Sequence, residues 1–185
     1  MLAPAGCGVV FKLDPAGALA VLHTFTGAPD GTFPLGSLLI DASGNLYGTT
    51  TDGGSGTSCS SSFGCGTVFK LSPTGAETVL YSFTGGTDGA FPSGGLVRDT
   101  AGNLYGTTAG GGAHNFGTIF TLTTSGVETV LCSFTGERGG AGPEGGLLRN
   151  SAGTLYGTTF EGGAANNGVQ AQALRATVSP LGQEG

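Results

Sequence analysis

The sequence predicts an all-β fold: a β-propeller-like array of four-stranded antiparallel blades, amounting to about three blade equivalents. Three observations predict it. The first is a repeat, because residues 45–50 and 103–108 both read Asn-Leu-Tyr-Gly-Thr-Thr and residues 154–159 read Thr-Leu-Tyr-Gly-Thr-Thr. The second is punctuation: short apolar runs alternate with turn chemistry built from Asp, Asn, Pro and Gly. The third is spacing. Four such runs recur with a period of about 51 residues, which is the interval of a propeller blade.

The elements follow in order. Val9, Val10, Phe11, Lys12 and Leu13 suit a strand, and Asp14-Pro15-Ala16-Gly17 turns it into a second at 19–25. A connection rich in Gly and Pro, 27–34, leads to a third strand at 37–40. There Asp41-Ala42-Ser43-Gly44 makes a tight hairpin into a fourth, 45–50, with the glycine free to take positive φ. The same order returns at 67–71, 78–83, 95–98 and 103–108, and again at 118–122, 128–134, 146–149 and 154–159. Tyr47 to Tyr105 is seven residues longer than Tyr105 to Tyr156. The excess falls in the loop with Cys59 and Cys65, where a stacked repeat tolerates insertion.

Taking 96–99 as an innermost strand, the chain opens with the outer half of a blade. Two full blades follow, at 36–84 and 94–135, and then the inner half of a fourth. The halves could pair with each other, but a ring of three falls below the usual four to eight. The expectation is therefore a piece of a larger ring, or self-association that completes one. Residues 1–168 are the β-repeat domain and 169–185 an irregular C-terminal tail. After Asn167-Gly168 the pattern wants Thr-Val-Phe-Lys-Leu, whereas Val169-Gln170-Ala171-Gln172-Ala173 stands there.

Composition excludes several classes. Glycine and proline, 39 and 8 of 185 residues, make up about a quarter of the chain. They keep register with apolar runs, and a mean hydropathy of +0.17 argues against disorder. A net charge of −6 and only six Lys and Arg give no basic stripe, so nucleic acid is excluded as a partner. No apolar run approaches the 18 or so residues of a membrane span, and residues 1–6 lack the regions of a signal peptide.

Cys59 and Cys65 bracket a five-residue loop that a disulfide would close, which suits an oxidising compartment; two free thiols are the alternative. Cys132 takes a strand position filled by His23 and Tyr81 in the other copies, as a packed thiol would. The partner that Cys7 would have in this scheme falls upstream of Met1.

Gly-Thr-Val-Phe-Lys-Leu at 66–71, Val-Leu-Tyr-Ser-Phe-Thr-Gly at 79–85 and Gly-Asn-Leu-Tyr-Gly-Thr-Thr at 102–108 resemble the bacterial GloVer tandem repeat of choice-of-anchor proteins. The resemblance covers about residues 7–168. It implies an exported, often surface-anchored repeat protein. Together with the cysteine pair, it places the chain outside the cell or at its surface. The partner expected there is an extracellular ligand or polysaccharide.

Catalytic candidates are few. His23 lies in a strand and His114 in a glycine-rich loop, and no Gly-x-Ser-x-Gly elbow supports a serine triad. Asp41 and Asp99 fall in turns whose backbone they can cap. Asp30 and Asp88 recur in the Asp-Gly of the inter-blade connection, where a turn role is favoured and weak calcium binding is the minority reading. A binding face, if built anywhere, lies in the loops of Asp52, His114, Asn115 and Glu161, which differ between copies. The sequence alone thus reads as a scaffold or binding module without catalytic site or cofactor. The alternatives are a propeller hydrolase or lyase whose active site needs blades absent here, and a pure structural spacer.

Overall fold

The computed structural model describes residues 6–59 and 63–163; the expected tail at 169–185 lies outside the described residues. Twelve strands form: β1 (Val9–Leu13), β2 (Leu19–Thr24), β3 (Leu39–Ile40), β4 (Leu46–Thr50), β5 (Thr67–Leu71), β6 (Glu77–Ser82), β7 (Val97–Arg98), β8 (Leu104–Thr108), β9 (Thr118–Leu122), β10 (Glu128–Ser133), β11 (Leu148–Arg149) and β12 (Leu155–Tyr156). The only helical element among the described residues is a 3-10 turn, Glu137–Gly139. The fold is all-β, as expected. None of these elements is a helix long and apolar enough to cross a membrane.

The strands make four sheets, all antiparallel: β1-β2, β3-β4-β5-β6, β7-β8-β9-β10 and β11-β12. Two full blades are thus flanked by an outer and an inner half-blade. The two half-blades do not pair with each other, so the described residues do not close a three-blade ring. β7 and β11 lie side by side, which puts the first strand of each blade innermost. These inner strands are only two residues long, shorter than the runs at 37–40, 95–98 and 146–149 suggest. Glycine-rich segments lead into β7 and β11 in place of ladder. β12 ends at Tyr156, where the pattern continues to Thr159, because 157–159 have no partner strand among the described residues.

Every outer hairpin carries the same irregularity. The register slips between Val10 and Phe11, between Val68 and Phe69, and between Val130 and Cys132. A β-bulge of this kind adds one unpaired residue and sharpens the local twist. Here the extra residues are Leu22, Leu80 and Leu131, and each joins the packing between blades.

The core lies between blades. Val10 and Phe25 of the first half-blade pack on Phe69 and Leu71 of the next blade. Tyr47, Val68 and Phe83 pack on Leu104, Phe120 and Leu122. Tyr105, Ile119 and Phe134 pack on Leu147 and Leu155 of the last half-blade. Both faces of a blade are therefore apolar, and Leu104 and Tyr105 are both buried although they point to opposite faces.

Candidate functional site

Antiparallel alternation sorts the connections onto two faces. The hairpin turns after the first and third strands lie on one face. The loops into each innermost strand, and those from second to third strand, lie on the other. Backbone bridges Thr32 to Asp52, Ala90 to Gly110 and Ala141 to Glu161 join the two kinds of loop in every copy. This loop face is the candidate site.

Its centre is lined by glycine. A Cβ on Gly36 would lie 2.8 Å from the Gly94 carbonyl oxygen, and one on Gly94 would lie 2.5 Å from that of Gly145. Only a bare backbone lets three successive blades approach this closely. Threonines lock the approach: Thr49 Oγ1 donates to Gly94 O and Thr107 Oγ1 to Gly145 O, each at 3.1 Å. Each of these glycines follows a Pro-x pair, Pro34-Leu35, Pro92-Ser93 and Pro143-Glu144. Ser93 Oγ donates to the Glu144 carbonyl at 3.2 Å, and the Glu144 side chain is exposed. Leu35, Ser93 and Glu144 thus vary at a fixed place beside the axis. Sequence reasoning passed over them, although a variable residue between invariant Pro and Gly was a usable signal.

The residues singled out from sequence fall as follows. Asp52 and Glu161 lie on the loop face, where their backbones form the bridges. Glu161 is exposed. His114 is exposed in its loop. Neighbouring Asn115 takes a φ of 61°, and its Oδ1 accepts from the Gly111 N–H at 3.2 Å, so it shapes the loop itself. Asp30 accepts from Thr26 N–H at 2.9 Å and Thr26 Oγ1 at 3.1 Å, and contacts His23 Nε2 at 3.2 Å. Asp88 does the same with Thr84 N–H at 2.7 Å, Thr84 Oγ1 at 2.6 Å and Tyr81 OH at 3.1 Å. Both carboxylates are turn caps, and the described residues hold no group of three His, Cys, Asp or Glu placed to bind a metal.

A disulfide joins Cys59 to Cys65, with Cα atoms 5.5 Å apart. It packs on the backbone at Gly85. Cys132 is a half-buried free thiol whose pKa burial pushes up.

Asp41 and Asp99 hold the opposite face. Asp41 Oδ1 accepts from the Ser43 and Asn45 N–H groups at 2.9 Å. Its Oδ2 accepts from Asn45 Nδ2 at 2.9 Å and Tyr47 OH at 3.0 Å. The Asn45 side chain leads in holding this carboxyl down to about 2, against a smaller opposing effect of burial. At Asp99 burial pushes upward, and the bonds from Asn103 and Tyr105 outweigh it.

Two solved structures share this fold. One is assigned as a gluconolactonase, with TM-score 0.50 and 18% identity over 85% of this chain and 52% of that one. The other is a gluconolactonase from Xanthomonas campestris, with TM-score 0.53 and 16% identity over 85% of this chain and 51% of that one. The chain spans about half the length of these structures. A comparison with curated proteins matches none of them.

The expectation of a surface scaffold or binding module is corrected by these matches, because the proteins that share the architecture are named gluconolactonases and favour the alternative weighed beside it. The error has a physical source. A propeller gathers its site from loops of many blades, so a few blades read along the sequence need not display a complete constellation. Residues 3–171 match the model of the Gloeobacter/Verrucomicrobia repeat, and the chain belongs to that family.

Proposed function

We propose that this chain supplies blades of a propeller hydrolase that opens a sugar lactone, with the active site at the axis on the loop face. The observation that carries this reading is the match of three blade equivalents, over 85% of the chain, to half of each gluconolactonase ring. Lactone opening needs a base to take a proton from the attacking water and donors for the oxyanion that forms on the carbonyl oxygen. Glu144 precedes Gly145 at the close approach of the blades and its side chain is exposed, and we assign it the base. The remaining groups come from blades beyond these three equivalents. The disulfide supports work in an oxidising compartment outside the cytosol.

The test is proton release from glucono-1,5-lactone, followed at constant pH and compared with the spontaneous rate. Acceleration that falls by about a hundredfold or more in Glu144→Gln is the expected result. A fully assembled ring that does not exceed the buffer rate would sink the lactonase reading.

A further inference from the structure

The two half-blades carry complementary defects. In each full blade the glycine of Leu-Tyr-Gly-Thr-Thr seats a phenylalanine from the third strand. A Cβ on Gly48 would lie 2.7 Å from Phe69 Cζ and 2.9 Å from Leu38 Cδ2. On Gly106 it would lie 2.7 Å from Phe120 Cζ and 2.8 Å from Leu96 Cδ2. Each ring also makes an edge contact with a phenylalanine of the preceding blade: Phe25 to Phe69, and Phe83 to Phe120, both at 5.1 Å between centroids.

Among the described residues, the last half-blade has this seat without its occupant. A Cβ on Gly157 would meet Leu147 Cδ2 at 2.8 Å and nothing else within 4 Å among the described residues. A cavity opens there, lined by Phe134, Leu147 and Gly157 among others. The first half-blade has the occupant without the seat. Phe11 is 58% exposed and Leu13 62%, where Phe69, Phe120 and Leu71 are fully buried and Leu122 is 1% exposed. Among the described residues β1 pairs along one edge only, with β2, whereas β5 and β9 pair along both.

We propose that a second copy of this chain fills the seat. Its β1 adds as the third strand beside residues 155–159, and the exchange is mutual. The registers of the full blades pair Gly48 with Phe69 and Gly106 with Phe120. The same register sets Leu13 opposite Leu155, Lys12 opposite Tyr156 and Phe11 opposite Gly157. Phe11 then meets Leu147 and Phe134, the counterparts of the residues that hold Phe69 and Phe120. One rung departs: Val9 replaces the threonine that pairs with Thr50 or Thr108 elsewhere, keeping the shape but losing the hydroxyl bond. The chain's own continuation is a poor occupant, because the phenylalanine position falls on Ala171, between Gln170 and Gln172. Two copies supply strands for six four-stranded blades, a number within the range of closed propellers. Closure by two identical joints keeps the assembly finite. It also covers edge strands that would otherwise invite aggregation. The joint stands on packing alone, whatever chemistry the ring performs.

The test is light scattering on the 185-residue chain across a concentration series. A mass of twice 18.0 kDa is expected at high concentration. Phe11→Ala and Gly157→Val should each raise the dimer dissociation constant by at least about a hundredfold. Val127→Ser, at an exposed turn away from both edges, should not. Hydrogen exchange gives a readout free of variants: amides of 9–13 and 157–159 gain protection as concentration rises. A wild-type monomer at all concentrations overturns the proposal. So does a ladder of ever larger species, or a dimer that survives both substitutions. Because these readouts are independent of activity, loss of the lactonase reading would leave the joint standing, and the reverse holds too.

Discussion

The hydroxyl of Tyr105 donates to Asp99 Oδ2 at 3.0 Å, and Tyr47 does the same with Asp41. Period-two alternation puts this tyrosine on a packed face of its blade, and a buried hydroxyl needs a partner. Which carboxylate answers was not legible, since a turn aspartate six residues earlier reaches the ring only once the hairpin closes. Tyr105→Phe leaves Asp99 with one donor fewer. Urea denaturation should show a loss of about 1–2 kcal/mol. The last copy gives an internal control, because Asn150 replaces the aspartate and its Nδ2 lies 3.5 Å from Tyr156 OH; Tyr156→Phe should cost less. The glycine of the same motif is a steric requirement. Gly106→Val drives two methyl groups into Phe120 and Leu96 and should destabilise by about 1–3 kcal/mol, also read in urea. The sequence marked this residue as repeated but gave no sign that it is a ring's seat.

At the scale of the element, strand positions were legible because apolar runs and turn residues alternate in the chain itself. The bulges at Leu22, Leu80 and Leu131 were not. Nothing in Val-Leu-His, Val-Leu-Tyr or Val-Leu-Cys distinguishes a bulged strand from a regular one. The gain is decided by where the extra leucine packs in the adjoining blade. The two motif threonines divide their work in the same way. Thr108 pairs with Thr118 inside its blade at 2.8 Å, while Thr107 tethers the next blade through Gly145. The disulfide was readable from spacing, because a loop this small brings its ends together whatever surrounds it. Replacing Cys59 and Cys65 by serine should lower stability by about 2 kcal/mol, measured by thermal and urea melts.

For the whole molecule, stability should peak in mildly acidic solution. Asp41 and Asp99 have folded pKa values below their ordinary 3.8. Their contribution is present above the ordinary carboxylate range and lost as pH falls through the lowered values, which for Asp41 is about 2. Glu128 is pushed the other way, from 4.5 to about 7, by burial and then by the charge of Asp88. Its Oε1 is buried without a hydrogen-bond partner. Its folded form therefore binds the proton more tightly than its unfolded form, so stability is full below about 4.5 and declines as pH rises through about 7. Glu77 is raised mainly by burial as well. The melting temperature should be higher at pH 5 than at pH 8, and Glu128→Gln should flatten that difference. Equal melting temperatures at the two pH values in the wild type would contradict the assignment. Millimolar calcium should leave the melting temperature unchanged, because Thr26 and Thr84 already engage the carboxylates of Asp30 and Asp88.

The sequence by itself determined the repeat, the four-strand order, the turn carboxylates and the cysteine pair, since each is a local pattern written within a few residues. Only the tertiary structure decided that, among the described residues, the half-blades stay apart, that glycines of three blades meet, and that Phe11 stands exposed while Gly157 faces an open cavity. Those facts depend on atoms brought together from different blades, and no spacing along the chain encodes a distance across it. The repeat that reads as Leu-Tyr-Gly-Thr-Thr becomes, in three dimensions, a buried ring bonded to its turn, a seat for phenylalanine and a tether between blades.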